Sequence, residues 1–235
     1  MLLEICANSY QSAKNAQNAG AQRIELCSEL FIGGITPSYG LVKQVTSNLD
    51  IETFVLIRPR SGNFCYTEDE FEIIKNNIKI CKSLGCHGIV SGILNPDNTI
   101  DITRTRELVE LSKPLPFTFH RAFDMVPNPM ITLEQLIDLG IDRILTSGQQ
   151  PKAAQGLDLL KKLKQQAKKR ITILVGSGIS SKNVKAFKAE GFDEIHASAS
   201  EVINTKSSEY FGSIPQTVSS TKEIKAILKA INNEA

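Results

Sequence analysis

The chain has 235 residues, of which 27 are basic and 25 acidic, for a formal charge of +2. This balance offers no electrostatic case for nucleic acid or an anionic membrane as partner and points to a small ligand or a protein. The opening MLLEICANSYQSAKNAQ has no basic stretch followed by a long apolar one, and no run approaches 18 consecutive apolar residues. The five cysteines (Cys6, Cys27, Cys65, Cys81, Cys86) form no CxxC pair, so a cytoplasmic protein with reduced thiols is expected.

Short β-rich runs alternate with helix-length segments along almost the whole chain. Strands are expected at LLEIC (2–6), RIELC (23–27), TFVLIR (53–58), GIVSG (88–92), PFTFH (116–120), RILTS (143–147), ITILVG (171–176) and EIHAS (194–198). Between them, stretches such as EDEFEIIKNNIKICKSLG and ITLEQLIDLG repeat apolar residues at three and four and end on a glycine, the pattern of a helix with a C-terminal stop. Eight such β-α units without a linker predict an α/β fold, a single (β/α)8 TIM barrel over residues 1–235, rather than an open doubly wound sheet. Residues 199–219, rich in serine and threonine, read as a long final β-α loop before the helical run STKEIKAILKAINN.

Ligands of such barrels bind where the strands end. LEIC and IELC each set a glutamate two residues before a cysteine, and side chains two apart share a face. Neighbouring strands would therefore bring Glu4, Glu25, Cys6 and Cys27 together. In FTFHRAFD the same alternation turns Phe117 and Phe119 toward the helices and His120 toward the barrel mouth, with Arg121 and Asp124 just beyond. Buried carboxylates need counter-charges, and Arg58, Arg60 and Arg121 are the expected partners; a surplus guanidinium would suit a carboxylate or phosphate on a ligand. The competing explanation is a purely structural salt-bridge network. His87 and the cysteines Cys81 and Cys86 are expected to be structural, and His196 lies close to the end of strand eight. The endings TSG, GSG and HAS of strands six to eight supply Ser147, Gly148, Gly176, Ser177, Gly178 and Ser198, small residues that leave backbone N–H groups open to an anion.

Taken together, LEIC, RIELC, GGITPS, IRPRSGNFCY, FTFHRAFD, ILTSG and EIHASAS resemble the CutC family of copper homeostasis proteins over residues 1 to about 200. The resemblance implies a (β/α)8 barrel, a cytoplasmic location and Cu(I) held by Cys6 and Cys27, and soft thiolates on adjacent strands are what Cu(I) selects. Many members carry a basic Tyr/Phe-Arg-Asn-like stretch after strand eight, which KSSEYFGSIPQ does not match. The residues themselves also fit an enzyme acting on a small anionic metabolite. In that alternative Arg58, Arg60 and Arg121 clamp the anion, His120 or Glu25 moves a proton with Glu4 nearby, Asp124 orients His120 or Arg121, and the GSG turn cradles a phosphate. A homo-oligomer is compatible with either, without an identified interface.

Overall fold

The computed structural model describes residues 1–204 and 215–232. Eight parallel strands close into a barrel in sequence order: β1 (Leu2–Ala7), β2 (Arg23–Leu26), β3 (Glu52–Leu56), β4 (Gly88–Ser91), β5 (Phe117–Phe119), β6 (Arg143–Thr146), β7 (Thr172–Val175) and β8 (Glu194–Ala197). Each expected strand is present within a residue or two of its ends. The helices α1 (Tyr10–Ala19), α2 (Tyr39–Asn48), α3 (Glu68–Ser83), α4 (Ile102–Ser112), α5 (Pro129–Asp138), α6 (Leu157–Ala167), α7 (Val184–Ala189) and α8 (Thr221–Asn232) follow the strands in turn. This is the (β/α)8 barrel that the alternation predicts.

The helix ends obey local chemistry. α3 starts with a reciprocal capping box between Thr67 and Glu70 and carries Glu68, Asp69 and Glu70 in its first turn, where acidic groups complement the helix dipole. The predicted glycine stops after α3 and α5, Gly85 and Gly140, both have positive φ. Outward-facing strand residues such as Ile5, Ile24, Val55, Ile89, Phe117, Phe119, Ile144 and Ile195 are buried against the helices. A separate small apolar cluster of Cys6, Cys27, Phe54, Leu56 and Val90 fills the lumen.

Between β8 and α8 the chain is not simply a loop. β9 (Ser200–Asn204) and β10 (Gln216–Ser219) pair antiparallel, and Asn8 donates to the Thr217 carbonyl and side chain, which ties the ribbon to the first β-α turn. The remainder of the predicted 199–219 loop, with most of KSSEYFGSIPQ, lies outside the described residues. No helix among the described residues is long and apolar enough to cross a membrane.

Candidate functional site

The register of β1 sets the site. Glu4 lies level with Arg23 of β2 and with His196 of β8, while Cys6 lies level with Glu25. The two Glu-x-Cys repeats are therefore staggered by one inward position: Cys27 stands above Glu25 and diagonal to Cys6. Its sulfur approaches that of Cys6 to 3.7 Å.

Beneath them is a charged layer. Arg23, fully buried, donates Nε to Glu4 at 2.5 Å and another nitrogen to Glu194, which also accepts from Arg143 Nε at 3.0 Å. The Arg23 and Arg143 guanidiniums lie over the Phe54 ring at 4.8 and 5.2 Å. This corrects the expected counterions: Arg23 neutralises Glu4, whereas Arg58, Arg60 and Arg121 make no ion pair with Glu4 or Glu25 among the described residues. Arg23 and Arg143 begin their strands and point into the lumen, a position that the search for strand-end residues passes over; their alternation with Glu25 and with Leu145 on the same face is the signal that would have found them.

His196 links the charged layer to the thiols. Its Nδ1 is 2.7 Å from Glu4 Oε1, and its ring also engages Cys6. Burial opposes the imidazolium, but bonding to Cys6 and Glu4 and the Glu25 charge outweigh it and raise the His196 pKa well above its ordinary value. Burial likewise opposes ionisation of Glu4, but its bond to His196 and the charge of Arg23 hold it at about 2. Glu25 feels the same two charges but has no such hydrogen bond. Its Oε2 is buried without a hydrogen-bond partner among the described residues, and burial, only partly offset by the His196 charge, raises the carboxyl to about 7. The bond with Cys27 and burial push the Cys6 thiol well above its ordinary pKa. One ligand atom each from Cys6, Glu25 and His196 lie within 4.8 Å of one another, a group able to hold a metal ion.

Above this cluster opens a pocket of about 870 Å³. Cys6, Glu25, His196 and His120 line it, while Cys27 and Glu4 lie behind that lining. Of the proposed anion-binding residues, Arg58, Arg121, Ser177, Gly178 and Ser198 reach the pocket, whereas Arg60, Ser147, Gly148 and Gly176 do not. The reasons are local. Arg60 is committed to Glu70 and to Asn63 and Cys65 of its own loop. The N–H groups of Gly148 and Gly176 bond Thr146, and Ser147 bonds Asp124 through both its N–H and its hydroxyl. Asp124 also accepts from Arg121 Nε at 2.8 Å and from Gln149 N–H, so it orients Arg121 and not His120.

His120 is held instead by the Ala122 N–H, which donates to its Nδ1 at 3.2 Å. Burial and the Arg58 charge depress the His120 pKa to about 3. The ring fits there because residue 92 is glycine: a Cβ would lie 2.7 Å from His120 Nδ1. His87 accepts from Thr53 N–H at the far end of the barrel, and Cys81 and Cys86 are buried among the helix contacts with raised pKa values of about 12 and 11, caused chiefly by burial.

Fold and site together define a (β/α)8 barrel with a buried cluster of thiols, an imidazole and a carboxylate at the floor of an open mouth. The chain belongs to the CutC family, whose model matches residues 1–201. It is 48% identical over 199 residues to the mouse copper homeostasis protein cutC homolog, covering 84% of this chain and 73% of that one. A CutC family protein of Parabacteroides distasonis is 47% identical over 209 residues, covering 87% and 85%. The CutC crystal structure from Streptococcus agalactiae superposes with a TM-score of 0.81 at 34% identity, over 84% of this chain and 98% of that one.

Proposed function

We propose that this protein serves copper homeostasis by binding Cu(I) as its cargo through the Cys6 and Cys27 thiolates, with His196 and Glu25 beside them. The observation that carries this is the approach of the two sulfurs to 3.7 Å at the ends of adjacent strands. Thiolates are the soft ligands that select Cu(I), and an imidazole is a common partner for copper.

Two features of the surroundings support it. Glu4 occupies Nδ1 of His196 and leaves the other ring nitrogen to face the thiol side, the carboxylate–histidine arrangement that orients metal-binding imidazoles. Glu25 keeps an unpartnered buried oxygen, an acceptor that a cation would satisfy. Because thiols ligate as thiolates and the Cys6 pKa is raised, loading the site would release protons. The five cysteines are free, as a reducing cytoplasm would keep them, and such a compartment would suit this role. The names of the relatives supply the cellular context.

The test is an anaerobic competition titration of Cu(I) against a chromophoric chelator, with the wild type and the Cys6→Ser/Cys27→Ser variant. Stoichiometric binding that disappears in the variant is the expected result. Equal affinity in the two proteins would refute the thiol site.

A further inference from the structure

Two buried N–H groups on the wall of the barrel mouth have no hydrogen-bond partner among the described residues: Nε of Arg58 and Nε2 of His120. Their side chains both pack against one ring. The Arg58 guanidinium lies 4.9 Å from the Phe64 centroid, and the His120 and Phe64 centroids are 4.7 Å apart. Both residues line the pocket and are about 5% exposed or less.

The chemistry of both groups is set by their other bonds. Since Ala122 N–H donates to His120 Nδ1, the neutral ring carries its proton on Nε2, which is therefore a donor. The terminal nitrogens of Arg58 are spent on the carbonyls of Ile32, Gly34 and Gly62, and the buried Tyr66 hydroxyl, a neutral oxygen, lies near the guanidinium. Those carbonyls satisfy hydrogen bonds without neutralising the charge, and no carboxylate among the described residues lies within 4.0 Å of it. A buried guanidinium without a counter-charge is costly, and so is a buried N–H without an acceptor. Each asks for an oxygen, and Arg58 asks for a negative one.

The space around them calls for more than an inorganic ion. A pocket of about 870 Å³ falls in the range of small-molecule sites, and Leu56, Phe64 and Leu145 give it an apolar wall with Phe31 and Ile203 exposed at the rim. Arg121 stands on the same lining and keeps part of its guanidinium in solvent. Glu25 and Glu29 are the acidic groups on that lining, so the acid group of a ligand belongs on the Arg58–His120 side.

We propose that the barrel mouth binds a second ligand beside the thiol pair, a small organic anion whose carboxylate or phosphate accepts from His120 Nε2–H and Arg58 Nε–H. The apolar body of the ligand lies against Leu56 and Leu145. This site is independent of copper and goes beyond the role proposed above.

The test uses the full-length, metal-free protein in an amine buffer, with benzoate, phenyl phosphate and the neutral isostere benzamide titrated by calorimetry. At least one of the two anions should bind about tenfold or more tightly than benzamide, the scale of one charge-assisted hydrogen bond. His120→Asn keeps an oxygen for the Ala122 N–H, as Asx turns do, but withdraws the distal donor. It should weaken the preferred anion by about tenfold or more. In the wild type, the ¹⁵N and ¹H signals of the one neutral Nε2–H imidazole facing the pocket should move on titration, a readout that does not depend on the variant folding. Benzamide binding as well as the anions, an unchanged affinity in His120→Asn, or no heat and no imidazole shift with either anion at millimolar concentration would each overturn the proposal. Because copper is absent throughout, these outcomes leave the Cu(I) titration to be judged separately.

Discussion

Glu25→Gln should make the metal-free protein more stable at alkaline pH. Glu25 is 4% exposed and, among the described residues, has no hydrogen-bond donor on Oε2 and no ion pair with an arginine. Its carboxyl is raised from the ordinary 4.5 to about 7, first by burial. A group whose folded pKa lies above its unfolded one stabilises the fold fully below the unfolded value and loses that contribution as pH rises through the folded value. At about 1.4 kcal/mol per tenfold change in acidity, the loss between pH 4.5 and pH 8 is about 3 kcal/mol. Glutamine keeps the shape and cannot ionise, so it should leave stability near pH 4.5 little changed and raise it at pH 8.5 by up to about 3 kcal/mol, less whatever its own amide loses by burial. Urea unfolding of wild type and variant at both pH values measures this, since the titrating groups remote from Glu25 are common to the pair and the change includes the Glu25–His196 coupling. A variant that is less stable at pH 8.5, or an effect of the same size at both pH values, would refute the account of Glu25 as a buried, unpaired carboxylate. A stabilising change that also weakens Cu(I) binding would mark Glu25 as a group kept for its ligand at the expense of stability.

Arg23→Leu leaves Glu4 with His196 as its remaining partner and takes one of the two arginines from Glu194; breaking such a buried pair should cost about 3 to 5 kcal/mol, read as a lower urea midpoint, and adding Glu4→Gln should recover part of it. If Arg23→Leu costs less than about 1 kcal/mol, the charged floor is not a structural element. Asp124→Ala removes the shared acceptor of Thr146, Ser147, Gln149 and Arg121. It should cost about 2 to 3 kcal/mol and speed amide exchange at Ser147 and Gln149, while an unchanged exchange pattern would remove Asp124 as the anchor of the turn after β6.

The barrel itself was legible in the chain because its cause is local. Eight β-branched runs, helices with 3.6-residue periodicity and glycine stops each act within a few residues, and right-handed crossovers leave little choice of topology once the units are counted. Period-two alternation also placed Glu4, Cys6, Glu25, Cys27 and His120 on the lumen side. What alternation leaves open is the height of one strand against the next. That stagger is a property of the closed barrel, fixed by the shear needed to join β8 to β1. It set Cys6 level with Glu25, with Cys27 one inward step above, and delivered His196 to Glu4 from 192 residues away. It also chose the counterions. Arg23 and Arg143 reach the glutamates from the floor, while Arg60, close to the same strand ends in sequence, is drawn off by the Glu70 carboxylate in the first turn of α3. Residue types and strand faces thus follow from the sequence by itself. Which charge meets which, and which polar atoms are left unmatched for a ligand, depends on distances across the lumen that exist only once the barrel has closed.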